Sequence, residues 1–320
     1  MNSPDSSASA SDTRLGCLVC LEPVSGRATY HARCLRSLFG VARLPKLDIE
    51  LAQLHTAALA MLGHASLSGI QKKISLGLSG DRATLQVALA DGRFLLKPQS
   101  SAYPSLPENE HLTTQLARLV GMEVADCALT PLRDGSPAFI VRRFDRRPDG
   151  RKVPQEDFCQ LAGKSPKEKY DGTAELCADV VRRFSAEPMV ELLKLFRQLV
   201  FAWWVGNGDL HLKNLSLTCD DGGRPRLSPA YDLVCTRLII PEDPLALPVG
   251  GARDGLNRDA WRQFAQYCGL PTRAAERVLS QHVAALDDAI ERVGASPLPA
   301  ALQTQYVALL RQRTESLAVA

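Results

Sequence analysis

The chain has 320 residues, and its hydrophobic content of 45% and charged content of 23% are those of an ordinary globular protein. This length suits roughly two lobes better than one compact core, and a formal net charge of +3 argues against direct binding of nucleic acid or of an acidic membrane. No apolar run approaches the ~18 residues that a membrane span requires, and the nine cysteines, mostly scattered through apolar segments, fit a reducing cytoplasm.

Cysteine and histidine dominate the N-terminal part of the chain. Residues 1–14 are rich in serine and alanine and predict a disordered tail, whereas residues 15–45 predict a small module with two ligand pairs of usual zinc spacing. The candidate ligands are Cys17, Cys20, His31 and Cys34. Such a zinc ion would be structural because no ligand position is left for water. The alternative is a small hairpin and helix whose cysteines are merely buried.

Residues 46–145 predict a β-rich lobe with few helices. Short β-rich runs alternate with Ser-Gly-Asp or Asp-Gly turns, which is typical of antiparallel hairpins. The predicted strands are 74–78, 84–89, 94–97, 128–132 and 138–142, and the predicted helices are 48–63 and 108–120. This order indicates an α+β architecture and excludes a βαβ array.

Residues 146–320 predict a mostly helical second lobe. Residues 146–172 contain several prolines and glycines and predict a linker with an exposed loop. Apolar residues at helical spacing then predict a helix from Pro188 to Trp203, capped by Ser185. Further helices are predicted at 272–293 and 297–317.

The most informative segment follows the helix that ends near Trp203. Asp209 and Asn214 are five residues apart, and Asp232 comes eighteen residues after Asn214. Kinase catalytic loops use this offset for a base Asp and a magnesium-binding Asn, with a second metal-binding Asp further on. Lys97 closes a predicted strand far upstream, where a lysine can reach ATP phosphates; a snorkelling surface lysine is the alternative.

Two features of this site stay open. His211 is either a structural histidine or a residue that positions Asp209 and stabilises transferred charge. Residues 66–73 precede the first strand and either cover the phosphates or form an ordinary helix-to-strand loop, since they contain a single glycine.

The chain resembles the HipA-like serine/threonine kinase toxins of bacterial toxin–antitoxin systems, across nearly all of residues 60–310. The matching segments are 66–72, 95–98, 106–110, 143–146, 154–160, 207–214 and 231–233. This resemblance implies a bilobal protein-kinase-like fold with a small β-rich N-lobe and a helical C-lobe.

The abrupt N-terminus looks most like the short, HipT-type members, which lack the additional N-terminal subdomain of the long HipA proteins. The resemblance therefore implies two protein partners, a HipB-like helix-turn-helix antitoxin and a HipS-like small protein. Any contact with DNA would run through the antitoxin.

The resemblance also implies roles for individual residues. Asp209 would be the catalytic base, Asn214 and Asp232 would bind magnesium, and Lys97 would contact ATP. The ATP-covering loop would contribute Ser68, Gly69 and Gln71, and the adenine hinge would include Arg142 and Phe144. Autophosphorylation would occur at Ser66 or Ser68, and either Glu108 or Glu110 would pair with Lys97.

The expected function is Mg²⁺- and ATP-dependent phosphorylation of a protein, with aminoacyl-tRNA synthetases among the family's targets and growth arrest as the result. Residues 154–172 and the C-lobe helices are expected to select the substrate. Two alternatives remain: a small-molecule kinase on a related scaffold, or a catalytically silent scaffold that binds an antitoxin.

Overall fold

The computed structural model describes residues 15–51, 73–88, 92–147 and 149–319. The predicted tail, nearly all of the helix predicted at 48–63, and the loop residues Ser66, Ser68, Gly69 and Gln71 lie outside these described residues. Among the described residues, no helix combines the length and the apolar character that crossing a membrane demands.

The N-terminal part of the fold is an antiparallel five-stranded sheet. Its strands are β1 (Ile74–Leu78), β2 (Leu85–Val87), β3 (Phe94–Pro98), β4 (Cys127–Pro131) and β5 (Pro137–Arg142), in the order β2-β1-β3-β5-β4. The short helix α1 (Ala32–Phe39) covers one face, and Leu38 and Phe39 pack there against Phe94 and Leu96. Because successive strand residues point to opposite faces, Lys97 faces away from this core.

Helix α2 (Leu106–Leu119) lies between β3 and β4 in the chain and is almost entirely buried. It starts with Pro107 in its first turn, where a missing N–H costs no hydrogen bond. Leu112 and Leu116 belong to the larger, helical core, although α2 is flanked in sequence by strands of the sheet. The helix is therefore the main element shared between the sheet and the helical part.

The C-terminal part is mostly helical. Its helices are α3 (Phe158–Leu161), α4 (Ala174–Phe184), α5 (Pro188–Trp204), α6 (Arg258–Tyr267), α7 (Thr272–Ala284), α8 (Leu286–Ala295) and α9 (Ala300–Ala318). A small sheet joins β6 (Gln155–Asp157), β7 (Ser216–Cys219) and β8 (Pro225–Leu227), with β7 in the centre. Helix α5 lies at the core, where Phe196 and Trp203 contact Trp261.

The structure corrects three sequence predictions. Residues 146–172 are not simply a linker, because β6 pairs with β7 and Phe158 is fully buried. Ser185 does not cap α5; its N–H bonds Val181 and ends α4, while Pro188 alone preorganises the first turn of α5. The helix predicted at 272–293 is two helices, which meet at Ala285.

Candidate active site

Between the five-stranded sheet and the helical part lies a cleft of about 1010 Å³. This volume is at the upper end of the range usual for small-ligand sites. The four residues singled out by spacing all line it: Lys97, Asp209, Asn214 and Asp232. The fold therefore brings together, on one surface, side chains that are up to 135 residues apart in the chain.

The Lys97 ammonium lies between two carboxylates. Its side chain is almost completely buried, and its Nζ donates to Glu110 and, at 2.6 Å, to Asp232 Oδ1. Burial alone would lower the pKa of Lys97, but the charges of Asp232 and Glu110 outweigh it and raise the pKa above its ordinary value. Lys97 is therefore a fixed positive charge in the cleft.

Glu110, and not Glu108, is the carboxylate that pairs with Lys97. Two residues on a helix are about 200° apart around its axis, so only one of the pair can face β3. Burial raises the pKa of Glu110, and the neighbouring Lys97 opposes that rise. The open choice between the two glutamates is thereby resolved by the orientation of α2.

Asp232 is held in a conformation that few residues other than glycine adopt. Its φ of 54° lies in the left-handed region, which aspartate tolerates better than most side chains. Next to it, Asn109 of α2 exchanges two hydrogen bonds with the backbone of Cys235, at 2.8 and 2.9 Å. The buried helix thus fixes the segment that presents Asp232.

A second lysine contacts Asp232. Lys73 Nζ donates to Oδ2 at 2.7 Å, so each carboxylate oxygen has its own ammonium partner. Burial tends to raise the pKa of Asp232, but the charges of Lys97 and Lys73 hold it well below its usual range. The lowered pKa therefore favours the ionised form of Asp232.

The loop after α5 is held by its own hydrogen bonds. Asn214 Nδ2 donates to the backbone oxygen of Asp209 at 2.8 Å, and the N–H of Asp209 donates to Asn207 Oδ1 at 3.1 Å. The Asp209 carboxylate is about half exposed to the cleft and accepts a hydrogen bond of 2.7 Å from the Tyr170 hydroxyl. Because the Asn214 nitrogen is used in the loop, its Oδ1 is the atom left for a cation.

Gly208 has no room for a side chain. A Cβ at this position would lie 2.1 Å from Asp243 Oδ2 and 2.7 Å from the Pro244 carbonyl oxygen. The N–H of Gly208 donates to Thr236 Oγ1 at 2.8 Å, and the Thr236 hydroxyl in turn donates to Asp243. The loop that carries Asp209 is therefore packed directly against residues 236–244.

His211 is a buried, neutral neighbour of Asp209. Burial lowers the pKa of His211, and the charge of Asp209 only partly compensates. The distance from His211 Nε2 to Asp209 Oδ1 is 3.8 Å, too long for a hydrogen bond. Within the described residues its Nδ1 is buried without a partner, and Tyr170 contacts the ring edge-on.

The donor set at Asp232 and Asn214 suits magnesium. A carboxylate and an amide oxygen are hard ligands, which Mg²⁺ prefers, and Mg²⁺ usually takes only one or two protein carboxylates beside water and phosphate oxygens. In this structure, the ammonium groups of Lys73 and Lys97 compensate the negative charge of the Asp232 carboxylate.

The predicted hinge residues have different surroundings. A smaller pocket of about 200 Å³ adjoins the cleft and is lined by Phe139, Val141, Phe144 and Tyr231, among others. Arg142 also lines this pocket, and its guanidinium donates to the carbonyls of Ser37 and Leu38 at the end of α1. Its N–H is also taken, by Asp126 O at 2.7 Å. Phe144 lines the pocket, and its contact with a nucleotide stays a prediction.

Sequence reasoning missed several residues of the cleft. Tyr170 was expected within the exposed segment 154–172 that selects the substrate and not beside Asp209, and Thr236 and Asp243 were not singled out. Tyr170 precedes Asp209 by 39 residues, so no local spacing connects them. The pairing of β6 with β7, the burial of α3 and a hydrogen bond from Leu212 N to Lys169 O bring this segment to the cleft.

Outside the cleft, the four predicted zinc ligands come together. The ligand atoms of Cys17, Cys20, His31 and Cys34 all lie within 4.8 Å of one another. None of these residues lines the cleft, so this cluster is separate from the site around Asp209.

Comparison with known proteins gives a consistent result. Residues 65–290 match the model of the HipA-like C-terminal domain. The chain is 33% identical over 239 residues to Y4mE of Sinorhizobium fredii, which carries a provisional kinase name; the match covers 71% of this chain and 56% of that protein. It is 28% identical over 243 residues to the serine/threonine-protein kinase toxin HipA of Shewanella oneidensis, covering 67% of this chain and 55% of the toxin.

A solved structure has the same fold. The HipA chain in the complex of Shewanella oneidensis HipA, HipB and operator DNA aligns with a TM-score of 0.65 and 23% identity, covering 78% of this chain and 64% of that one. The chain spans little more than half the length of the two curated relatives.

Proposed function

Because the chain belongs to the HipA-like C-terminal domain family, we propose that it is a protein kinase that transfers the γ-phosphoryl group of ATP to a serine or threonine hydroxyl. The observation that carries the proposal is the convergence of Lys97, paired with Glu110, and of Asp209, Asn214 and Asp232 on one cleft. A lysine–glutamate pair above two metal-binding groups and a base carboxylate is the arrangement that phosphoryl transfer requires.

In the proposed reaction, the phosphates of ATP lie between Lys97 and the loop that carries Asp209. Asp232 and Asn214 Oδ1 would hold Mg²⁺, which would neutralise charge on the phosphate oxygens. The Asp209 carboxylate accepts the proton of the substrate hydroxyl while that oxygen bonds to the γ-phosphorus. The bond from this phosphorus to the bridging oxygen breaks, and ADP leaves with the electron pair.

Two neighbours prepare Asp209 for this role. The Tyr170 hydroxyl bonds one carboxylate oxygen and orients the group, leaving the other oxygen for the substrate hydroxyl. His211 packs beside Asp209 and, because its imidazole is neutral, it does not neutralise the negative charge of the Asp209 carboxylate. We propose that His211 positions Asp209 by packing and that it does not itself exchange protons in the reaction.

The biological setting of the proposal is a toxin–antitoxin system. Its support is the family relationship together with the fold shared with a HipA that was solved with HipB and operator DNA. We propose a HipB-like antitoxin and a HipS-like protein as partners, an aminoacyl-tRNA synthetase as substrate, and regulatory autophosphorylation at Ser66 or Ser68. The proposed cofactor is Mg²⁺, with ATP as the phosphate donor and a structural Zn²⁺ away from the cleft.

The decisive experiment is incubation of the purified chain with labelled ATP, Mg²⁺ and a cell lysate, with Asp209→Asn for comparison. Loss of a general base typically lowers the rate by about 10²–10⁴-fold, so labelling of the substrate protein should vanish while nucleotide binding persists. Asp221→Asn is the matched control, because this nearby carboxylate is almost fully exposed.

Three results would contradict the proposal. Equal labelling by wild type and Asp209→Asn would exclude Asp209 as the base. Label on a small molecule and on no protein would favour a small-molecule kinase. Failure of the wild type to bind ATP with Mg²⁺ would favour a silent scaffold. Mass spectrometry of Ser66 and Ser68 after incubation with ATP tests autophosphorylation, which is rejected if both stay unmodified.

A further inference from the structure

In the Cys/His cluster of Cys17, Cys20, His31 and Cys34, the ligand atoms of the last three have the spacing of a zinc tetrahedron, and Cys17 Sγ lies within 4.8 Å of each of them. Cys20 Sγ and Cys34 Sγ are 3.7 Å apart, and His31 Nδ1 is 3.5 Å from the first and 3.7 Å from the second. With Zn–S near 2.3 Å and Zn–N near 2.05 Å, a tetrahedron has edges of roughly 3.8 Å between sulfurs and roughly 3.6 Å between sulfur and nitrogen. A disulfide would instead need roughly 2.05 Å between sulfurs, and none of the three cysteines is in a disulfide, so each sulfur can donate a lone pair to a metal.

The surroundings of His31 prepare its Nδ1 for a metal. Its Nε2 lies 2.9 Å from the carbonyl oxygen of Pro23. A carbonyl can only accept, so Nε2 carries the ring proton and the lone pair of Nδ1 faces the sulfurs of Cys20 and Cys34. Histidines that bind metals almost always fix their second nitrogen in this way. The N–H of His31 also donates to Cys17 Sγ at 3.3 Å, which stabilises a thiolate there.

The cluster connects the two hydrophobic cores. His31 and Cys34 lie at the start of α1, whose Leu38 and Phe39 pack in the core of the five-stranded sheet. The turn that carries Cys17 and Cys20 ends at Leu21, which is buried in the helical core together with Leu112 and Leu116 of α2. A metal on these four ligands would tie one core to the other.

The turn from Gly16 to Glu22 also forms hydrogen bonds with three elements, α8, β4 and α2, of which α2 lines the cleft. Gly16 N donates to Ala295 O at the end of α8, and Arg292 of α8 donates to Cys20 O and Glu22. Leu129 N of β4 donates to Leu18 O at 2.8 Å. His111 of α2 donates from Nε2 to Val19 O at 3.2 Å.

His111 directly follows Glu110, the partner of Lys97. We infer that Cys17, Cys20, His31 and Cys34 bind a structural Zn²⁺, and that the turn so fixed is a positioning device that holds α2 with Glu110 against Lys97. The zinc site stands on its own geometry, whereas its effect on nucleotide binding rests on the proposed kinase function.

Metal content tests the first half. The full chain, purified under reducing conditions without chelator, should contain one zinc per molecule, and Co²⁺ substitution should give the absorption of tetrahedral thiolate cobalt. Cys34→Ser should lose the metal, Cys34→His should keep it because imidazole is also a ligand, and the control Cys219→Ser should keep it. A wild type that neither contains zinc nor binds added Zn²⁺, or one in which these cysteines form a disulfide, overturns the site.

Nucleotide affinity tests the second half. Zinc-free protein, prepared either as Cys34→Ser or by stripping the wild type with a chelator, should bind Mg²⁺·ATP about tenfold more weakly, within the usual range of coupling between sites. Hydrogen exchange should be faster in α2, and re-addition of Zn²⁺ to the stripped wild type should restore both. Unchanged affinity and exchange in a zinc-free chain would overturn the coupling.

The outcomes separate the two proposals. If the zinc-loaded wild type does not bind Mg²⁺·ATP at all, the kinase proposal fails while the metal analysis still decides the zinc site. If Cys34→Ser does not fold, the stripped and reloaded wild type gives the same comparison without a substitution.

Discussion

Two lysine ammonium groups converge on Asp232 in the cleft. Lys73 and Lys97 each bond one of its oxygens, and Lys97 is in turn shared with Glu110. Removing one member of such a buried group is more costly than removing an exposed ion pair, because the remaining charges lose their compensation.

This pairing predicts a specific dependence of stability on pH. The pKa of Asp232 is below its unfolded value of 3.8, so its contribution to stability is complete above that pH and is lost as the pH falls through the folded pKa. When the pH is lowered from 5 to 3, the free energy of unfolding should therefore fall by about 1 kcal/mol less in Asp232→Asn than in the wild type. Urea denaturation at both pH values measures this, with Asp221→Asn as the exposed control; equal losses in all three proteins would refute it.

Gly208 gives a second prediction at the scale of one residue. In Gly208→Ala, the new methyl group would meet Asp243 and Pro244, so the loop that carries Asp209 must shift. A displacement of about 1 Å in a catalytic group costs up to 10²-fold in rate, and we expect at least a tenfold fall in kcat/KM. Gly294→Ala in α8 is the control, because nothing lies within 4 Å of its added Cβ. Normal activity of Gly208→Ala would show that this contact does not fix the loop.

At the scale of elements, β6 and α3 connect the segment 154–172 to the loop that carries Asp209. Asp157 ends β6 and caps α3 by accepting from the N–H of Gln160 at 2.9 Å. Its second oxygen accepts from Lys213 Nζ at 2.9 Å, next to Asn214. One side chain thus starts a helix and holds the loop.

Two substitutions at Asp157 separate these roles. Asp157→Ala should lower the free energy of unfolding by about 1–2 kcal/mol through loss of the cap. Asp157→Asn keeps an accepting oxygen for the cap but loses the ion pair with Lys213, so it should cost about 1 kcal/mol or less. Chemical denaturation of both variants measures the difference, and equal destabilisation would mean that the cap contributes little.

Whether an element can be predicted from the sequence depends on how far apart in the chain its contacting residues lie. The spacing of Asp209, Asn214 and Asp232 reflects one local loop and one following turn, and it could be read directly. Glu110 could not be distinguished from Glu108, because their orientation depends on where α2 begins and on how it packs. The three-residue strand β6 carries no pattern of its own, and its pairing with β7 spans about 60 residues.

At the scale of the whole molecule, α2 lies between two strands of the sheet in the chain, but its apolar side chains pack in the helical core. Thr113 bonds the Tyr306 hydroxyl of α9 at 2.9 Å, and Asn109 bonds Cys235 beside Asp232. Nucleotide that contacts Lys97 and Asp232 would therefore bind to both parts of the fold at once.

Ligand binding should consequently stabilise the entire chain. At an ATP concentration 100 times its dissociation constant, with Mg²⁺ present, the free energy of unfolding should rise by about 2.7 kcal/mol. Thermal unfolding monitored with and without nucleotide measures the effect, and a chelator that removes Mg²⁺ should abolish most of it. A nucleotide shift that survives in Asp232→Asn would show that this carboxylate does not take part in binding.

The ammonium groups of Lys73 and Lys97 also affect how a divalent ion would bind to Asp232. Both oxygens of this carboxylate already have a cationic partner, so a divalent ion would compete with the ammonium groups for its negative charge. Lys73 is the more exposed of the two lysines and is the one that such competition would release. Once displaced, it would be a free donor at the mouth of the cleft, ready to follow the incoming phosphates.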